Sequence, residues 1–172
     1  MAPAGRIVMS IILRRAIAND FYDINLILIE ENRYHADLIP EIFKIVDPVI
    51  TENWLDEIIL NPDEELFVCV ANDKVVGVVL IASLRMPDNT ELKPRKYVYV
   101  DEIAVKLGYR GRGIGKKLMQ RVHEWAVEMK IDEIELNVWE ANKLAIDFYE
   151  RLGYHTLRRG MRYKLNDNDD DI

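Results

Sequence analysis

The chain has 172 residues, 49% of them hydrophobic, and a formal net charge of −7 from 23 basic and 30 acidic side chains. A globular chain of that length removes roughly 70% of its unfolded surface from water, so one core needs neither disulfides nor a structural metal. No apolar run approaches the roughly 20 residues of a membrane-spanning helix, no cleavage pattern follows Arg14-Arg15, and the acidic balance argues against a nucleic-acid partner. The expectation is a cytoplasmic protein with neither membrane nor nucleic acid among its partners. Cys69 lies in the apolar run Leu66-Phe67-Val68-Cys69-Val70, where a small buried hydrophobe is its commonest use. His35, His123 and His155 lack ligand spacing, so no metal is expected.

In chain order, residues 9–15 read as a first strand. Asn19-Asp20 then caps a helix that runs to about Tyr34, with Ile24, Ile27 and Leu28 at helical spacing. Pro40 and Pro48 divide the next stretch into short helical pieces, and Thr51 caps a helix over residues 52–60 with Trp54, Leu55, Ile58 and Ile59 on one face. Residues 66–71 and 74–84 are β-branched runs joined by Asn72-Asp73, a pair that accepts left-handed dihedrals, which predicts an antiparallel hairpin. A polar loop over residues 85–95, holding Pro87 and Pro94, leads into a strand over residues 97–105. Ile114, Leu118, Val122, Trp125, Ala126 and Met129 then recur at spacings of three and four, an amphipathic helix over residues 113–130. A strand at 133–138, a helix at 142–152 and a last strand at 154–164 complete the chain. The order β-α-α-β-β-β-α-β-α-β predicts a single-domain α/β fold over residues 9–166, a mixed central sheet flanked by helices, with residues 1–8 and the acidic 167–172 as flexible ends.

The most specific local signal is Arg110-Gly111-Arg112-Gly113-Ile114-Gly115, between the strand at 97–105 and the amphipathic helix. Alternate glycines let a ligand lie against bare main chain, and the first amides of a helix have no internal partner and sit at its positive dipole end, which suits a pyrophosphate. Arg110, Arg112, Lys116 and Lys117 concentrate positive charge there. A phosphate-binding P-loop needs glycine where Arg110 stands, and a dinucleotide fingerprint starting at Gly111 needs glycine where Lys116 stands, so neither spacing fits.

These residues resemble the Gcn5-related N-acetyltransferase (GNAT) superfamily, whose signature is Gln or Arg, two residues, Gly, one residue, then Gly or Ala; Arg110, Gly113 and Gly115 match it. The resemblance extends through residues 142–154, where Asn142, Ala145, Phe148-Tyr149 and Gly153-Tyr154 look like the family's later block. It implies an acetyl-coenzyme A-dependent N-acetyltransferase. Ile103, Ala104 and Val105 would offer main-chain groups to the pantetheine arm. Gly111, Arg112, Gly113, Ile114, Gly115 and Lys116, with Arg110, would hold the pyrophosphate, and Asn142 would meet the cofactor near its thiol; Asn142 also reads as a plain helix cap.

Acetyl transfer needs a neutral amine and a proton for the departing thiolate, whereas an alkylammonium with a pKa of about 10 is charged at neutral pH. Glu102 is the best-placed base, and in a regular strand its neighbours Asp101 and Ile103 point to the other side. Tyr149 falls at the family tyrosine that protonates the thiolate, though Phe148, Tyr149 and Leu152 also make a packing stripe. The expected acceptor is a primary amine, with a small cationic molecule favoured by the net charge and by Glu30, Glu31, Asp37 and Glu41. Alternatives are a protein or peptide N-acetyltransferase, or an acyl-coenzyme A-binding sensor without turnover. A homodimer is compatible with this reading.

Overall fold

Strand periodicity and helix caps place most elements where these patterns put them. The computed structural model describes residues 10–88 and 91–165. The elements are β1 (Ile11–Arg15), α1 (Phe21–Leu38), α2 (Glu52–Leu60), β2 (Glu64–Ala71), β3 (Lys74–Met86), β4 (Arg95–Val105), α3 (Ile114–Glu128), β5 (Ile134–Leu136) and α4 (Lys143–Arg151), with single 3-10 turns at Ala18–Asp20 and Leu107–Tyr109. The five strands form one mixed sheet in the order β1-β2-β3-β4-β5, antiparallel except for the parallel pair β4 and β5. Asn72 and Asp73 close the β2-β3 hairpin with φ of 50° and 59°, and Thr51 caps α2 by accepting from the Trp54 N–H at 3.2 Å.

Period-two alternation sends the side chains of the sheet into two cores. Against one face, Phe67, Cys69, Val76, Val79, Ile81, Val98 and Val100 pack on Ile114, Leu118, Val122 and Trp125 of α3 and on Tyr149 of α4. Against the other, Leu66, Val68, Val78, Leu80 and Ala104 pack on Ile24, Ile27 and Leu28 of α1 and on Leu55 and Ile58 of α2. Gly77 is required where α3 crosses β3, because a Cβ there would lie 2.7 Å from Cγ2 of Ile114.

In β4 the alternation breaks. Val98 and Val100 face α3, but beyond them it is Ile103 and Val105 that pack on that side while Ala104 faces α1 and α2. The ladder with β3 shows why: Ile81 pairs with Val100 and Leu80 with Glu102, so Asp101 is an extra residue, a β-bulge. Tyr99 before the bulge and Glu102 after it share the face of Ala104, and Asp101 lies between them.

Four expectations change. Asp20 heads α1 without a side-chain cap, because its carboxylate pairs with Arg14 at 2.6 Å and accepts from the Ile17 N–H at 2.9 Å, and the helix runs past Tyr34 to Leu38. Residues 39–50 carry one turn and no helix among the described residues, because α1 supplies their hydrogen bonds from its side chains: Asn32 accepts from Val46 N–H at 2.9 Å and donates to the Lys44 carbonyl at 3.1 Å, and Asn25 accepts from Val49 N–H at 3.0 Å. Ile59 does not join the buried face of α2; it is exposed, with Leu55 and Ile58 carrying the packing. The strand expected at 154–164 is not formed either. Leu157, Met161 and Tyr163 do alternate, but all are exposed, and β5, three residues long, offers little edge to pair with. The expected ends, residues 1–8 and 167–172, the first residue of the strand expected from Met9, and the middle of the 85–95 loop lie outside the described residues. No helix among those described is long and apolar enough to cross a membrane.

Leu118 is fully buried between α3 and the sheet. Leu118→Ala is expected to lower unfolding free energy by about 2–5 kcal/mol, read from urea denaturation curves with unchanged slope.

Candidate active site

β4 and β5 are held together at one end and part at the other. Arg95 at the start of β4 pairs with Glu133 at 2.6 Å and with Glu135, and Val98 N–H donates to the Glu133 carbonyl at 2.9 Å. The parallel ladder runs only from Val98–Ile134 to Val100–Leu136. Past Val100 the edge of β4 facing β5 has no strand partner among the described residues, and a cavity of about 270 Å³ opens there. Its walls come from Tyr99 to Ile103 of β4, Asn137 to Trp139 after β5, Glu31 and His35 of α1, Phe43 of the α1-α2 loop, and Asn142, Ala145 and Tyr149.

Glu102 lies in this cavity with no other side chain hydrogen-bonded to it among the described residues. Burial, then the negative charges of Glu31 and Asp101, push its pKa from 4.5 up to about 8, against a smaller opposing effect of the Ile103 N–H. Asp101 therefore does not turn away from Glu102 as regular alternation implies; the bulge brings both carboxylates to one cavity. Tyr149 is 9% exposed, and its hydroxyl makes no hydrogen bond among the described residues. Burial first, then Glu102, Tyr154 and Glu31, raise its pKa above that of free tyrosine and keep it protonated.

Asn142 is the N-cap of α4: its Oδ1 accepts from Ala145 N–H at 3.2 Å and from the Tyr34 hydroxyl at 3.3 Å. The capping role is thus real, and because the carbonyl is committed, only its amide nitrogen is free to meet a ligand. Cys69 is fully buried, and burial pushes its thiol up to about 11, so it packs rather than reacts.

The glycine turn follows directly from the free end of β4. Gly111 and Gly113 have φ of 73° and 79°, and a Cβ on either would meet nothing within 4 Å, so the space above them is open. The first helical bond runs from Lys117 N–H to the Gly113 carbonyl at 3.0 Å, which leaves the amides of Ile114, Gly115 and Lys116 without a helical acceptor. That is a cradle fitted to a phosphate or pyrophosphate. Ile114 points its side chain into the core, so only its main chain faces the turn. Arg112 lies over the Tyr109 ring, 5.4 Å from its centroid, and Lys116 is exposed. Arg110 is differently placed: its Nε donates to the Val105 carbonyl at 2.9 Å, and its terminal nitrogen pairs with Glu31 at 3.0 Å. Its charge is largely spent within the protein. Ile103 lines the cavity, while Ala104 is buried against α1 and α2.

The profile of the acetyltransferase (GNAT) family matches residues 25–154. The chain belongs to that family. It is 35% identical over 103 residues to N-alpha-acetyltransferase 30 of Schizosaccharomyces pombe, covering 60% of this chain and 65% of that protein. It is 40% identical over 60 residues to thialysine N-epsilon-acetyltransferase of Bos taurus, covering 35% of each. The chain thus spans less than two thirds of either relative. A crystal structure of a tetramutant Bacillus halodurans protein shares the fold, with a TM-score of 0.85 at 24% identity over 90% of this chain and 99% of that one. Among the described residues of this family member, no group of three or more His, Cys, Asp or Glu side chains is placed to hold a metal.

Sequence reasoning did not find Asp101, Tyr99, His35, Phe43, Asn137 or Trp139 as cavity residues. Asp101 was within reach, since Val98 and Val100 followed by Ile103 and Val105 is a phase shift that signals an extra residue. Of the four acids named in residues 19–60, only Glu31 reaches the cavity. Glu30 instead accepts from the Leu107 N–H at 2.9 Å, and Glu41 pairs with Arg162 at 3.3 Å.

The raised pKa of Glu102 has a stability signature. The folded protein keeps this proton to about pH 8, whereas the unfolded chain releases it near 4.5, so ionisation costs folding free energy as pH rises between these values. Melting temperature in the absence of ligands should fall more steeply over that window for the parent than for Glu102→Gln, and the variant should be the more stable of the two above pH 8.

Proposed function

We propose that this chain transfers an acetyl group from acetyl-coenzyme A to a primary amine, with small cationic amines as preferred acceptors. The observation that carries this reading is the convergence of Glu102 and Tyr149 on one cavity, at the strand opening that leads to the glycine turn. Acetyl-coenzyme A supplies the electrophilic thioester carbonyl: a C–N bond forms to the acceptor as the C–S bond breaks. The amides of Ile114 to Lys116 and the bare backbone at Gly111 and Gly113 receive its pyrophosphate. The edge of β4 at Ile103 to Val105, apart from the Val105 carbonyl held by Arg110, receives its pantetheine arm as an added strand.

Glu102 takes a proton from the bound ammonium and leaves the nitrogen lone pair free. With its pKa near 8, roughly a tenth of the carboxylate is ionised at pH 7, and its basicity is far closer to an amine's than an ordinary carboxylate's. Tyr149 hydrogen-bonds the departing sulfur, donates its proton to it, and recovers a proton from the product nitrogen. The two roles reinforce one another, because a protonated Glu102 no longer opposes negative charge on the Tyr149 oxygen. Cationic acceptors are supported by the lining itself: among the described residues it holds Glu31, Asp101 and Glu102 but no Lys or Arg. Acetylation of a peptide amine is a second reading, favoured by the likeness to the Schizosaccharomyces pombe N-alpha-acetyltransferase.

A thiol-release assay against polyamines, amino acids, aminoglycosides and short peptides tests both. Tyr149→Phe should lower kcat by at least about tenfold with melting temperature nearly unchanged, the expected loss of a general acid that keeps its ring packing. The kcat/KM of the parent should rise with pH along a limb near 8, and Glu102→Gln should remove that limb. Gly113→Val should abolish acetyl-coenzyme A binding in calorimetry. It should also cost about 1–2 kcal/mol of stability, because a side chain is strained at φ 79°.

A further inference from the structure

We propose that Tyr154 and His123 are positioning residues for the reaction: together they hold the ring of Tyr149 at the angle from which its hydroxyl meets the departing sulfur. This rests on the acetyl-transfer reading above, in which Tyr149 is the general acid.

The hydroxyl of Tyr149 has no hydrogen-bond partner among the described residues, so the ring is aimed by what packs against its sides. Two aromatic rings lie against it: Phe148 at 5.2 Å between centroids, and Tyr154 at 5.8 Å with its plane turned by 62°. Phe148 is the preceding residue of α4 and travels with the helix. Tyr154 lies beyond the helix and is fastened elsewhere, so it alone of the two can fix the ring of Tyr149 relative to the rest of the site.

The end of α4 explains how Tyr154 reaches that place. Gly153 follows the helix with φ of 91°; its N–H donates to the Glu150 carbonyl at 3.0 Å, and the Tyr154 N–H donates to the carbonyl of Tyr149 itself at 3.1 Å. This pair of bonds is the Schellman motif, in which a left-handed glycine turns the next residue back over the last helical turn. The far end of Tyr154 is held as well. Its hydroxyl lies 2.9 Å from Nε2 of His123, a residue of α3, and the two rings are 5.9 Å apart. Burial pushes the Tyr154 phenol up to about 12, so it keeps its proton for this hydrogen bond. Tyr154 thus runs as a brace from the main chain of Tyr149 to α3, the helix whose first amides form the phosphate cradle. A single hydrogen bond at an exposed imidazole adds little to stability, but a catalytic group displaced by about 1 Å can lose on the order of 10²-fold in rate. The value of the brace is in aim.

The test is a double-mutant cycle in the thiol-release assay, with acetyl-coenzyme A and whichever of the polyamines, amino acids, aminoglycosides and short peptides the parent turns over fastest. Tyr154→Phe keeps the ring and removes only its bond to His123. It should lower kcat by about three- to tenfold, with KM for the acceptor within about twofold of the parent and melting temperature nearly unchanged. His123→Ala should do the same, whereas His123→Gln, whose amide can still meet the hydroxyl, should keep most of the rate. In a Tyr149→Phe background, adding Tyr154→Phe should lower kcat no further, because the brace acts only through the hydroxyl already removed. A parental kcat in Tyr154→Phe, or a loss of equal size with and without the Tyr149 hydroxyl, would overturn the inference and leave Tyr154 as a packing residue while acetyl transfer stands. A Tyr149→Phe enzyme as fast as the parent, or release of no thiol with any acceptor, would instead sink the catalytic reading and this inference with it.

Discussion

Two parallel strands that share hydrogen bonds at one end and separate at the other govern nearly everything in this site. Arg95 draws Glu133 and Glu135 to the start of β4, and three residue pairs then close the ladder. Beyond Val100 and Leu136 the β5-facing edge of β4 has no strand partner among the described residues, with only the Val105 carbonyl taken up, by Arg110, and unmet main-chain groups in a partly buried strand carry a cost. In the proposed function an extended ligand arm would satisfy them, and the same parting of the strands brings Glu102 and Tyr149 to one cavity. Had the ladder continued, β5 would have covered the main chain that is now free and closed the space between the two side chains.

Helix α1 holds the separate parts of the site in register. Glu30 binds the main chain just after β4, and Glu31 clamps Arg110, whose Nε in turn holds the last carbonyl of β4. Tyr34 lies 5.7 Å beneath the same guanidinium and donates to Asn142 at the head of α4. One helix therefore reaches the strand end, the glycine turn and the helix bearing Tyr149. These contacts are polar and partly exposed, so each is individually weak; their value lies in fixing geometry. They also separate charge: the cavity stays acidic, suited to an amine, while the free amides and exposed lysines of α3 stay electropositive, suited to a phosphate.

Local patterns were strong enough to be read along the chain wherever the physical cause is itself local. The Asn72-Asp73 turn, the Thr51 cap, the amphipathic α3 and the glycine turn before it depend on dihedral preference, nearby hydrogen bonds or a periodic apolar face. All four stand as expected. Glu102, Tyr149 and Asn142 were legible because the motif spacing around them matches a known family, and the structure brings all three to one cavity. Residues 39–50 were misread because their backbone is satisfied by Asn25 and Asn32, more than ten residues away, and residues 154–164 because alternation does not create a partner edge.

What the sequence determined by itself was the set of elements, the family likeness and the chemistry available: an acidic residue on a strand, a tyrosine on a helix, bare backbone at a helix start. What only the tertiary structure decided was how these groups perturb each other. The pKa of Glu102 depends on how much water is removed from it and on Glu31 from a helix seventy-one positions earlier. The availability of Asp101 depends on a ladder that slips by one residue against β3. Desolvation, charge proximity and strand register are distances between parts of the chain remote in sequence, and no local pattern encodes them.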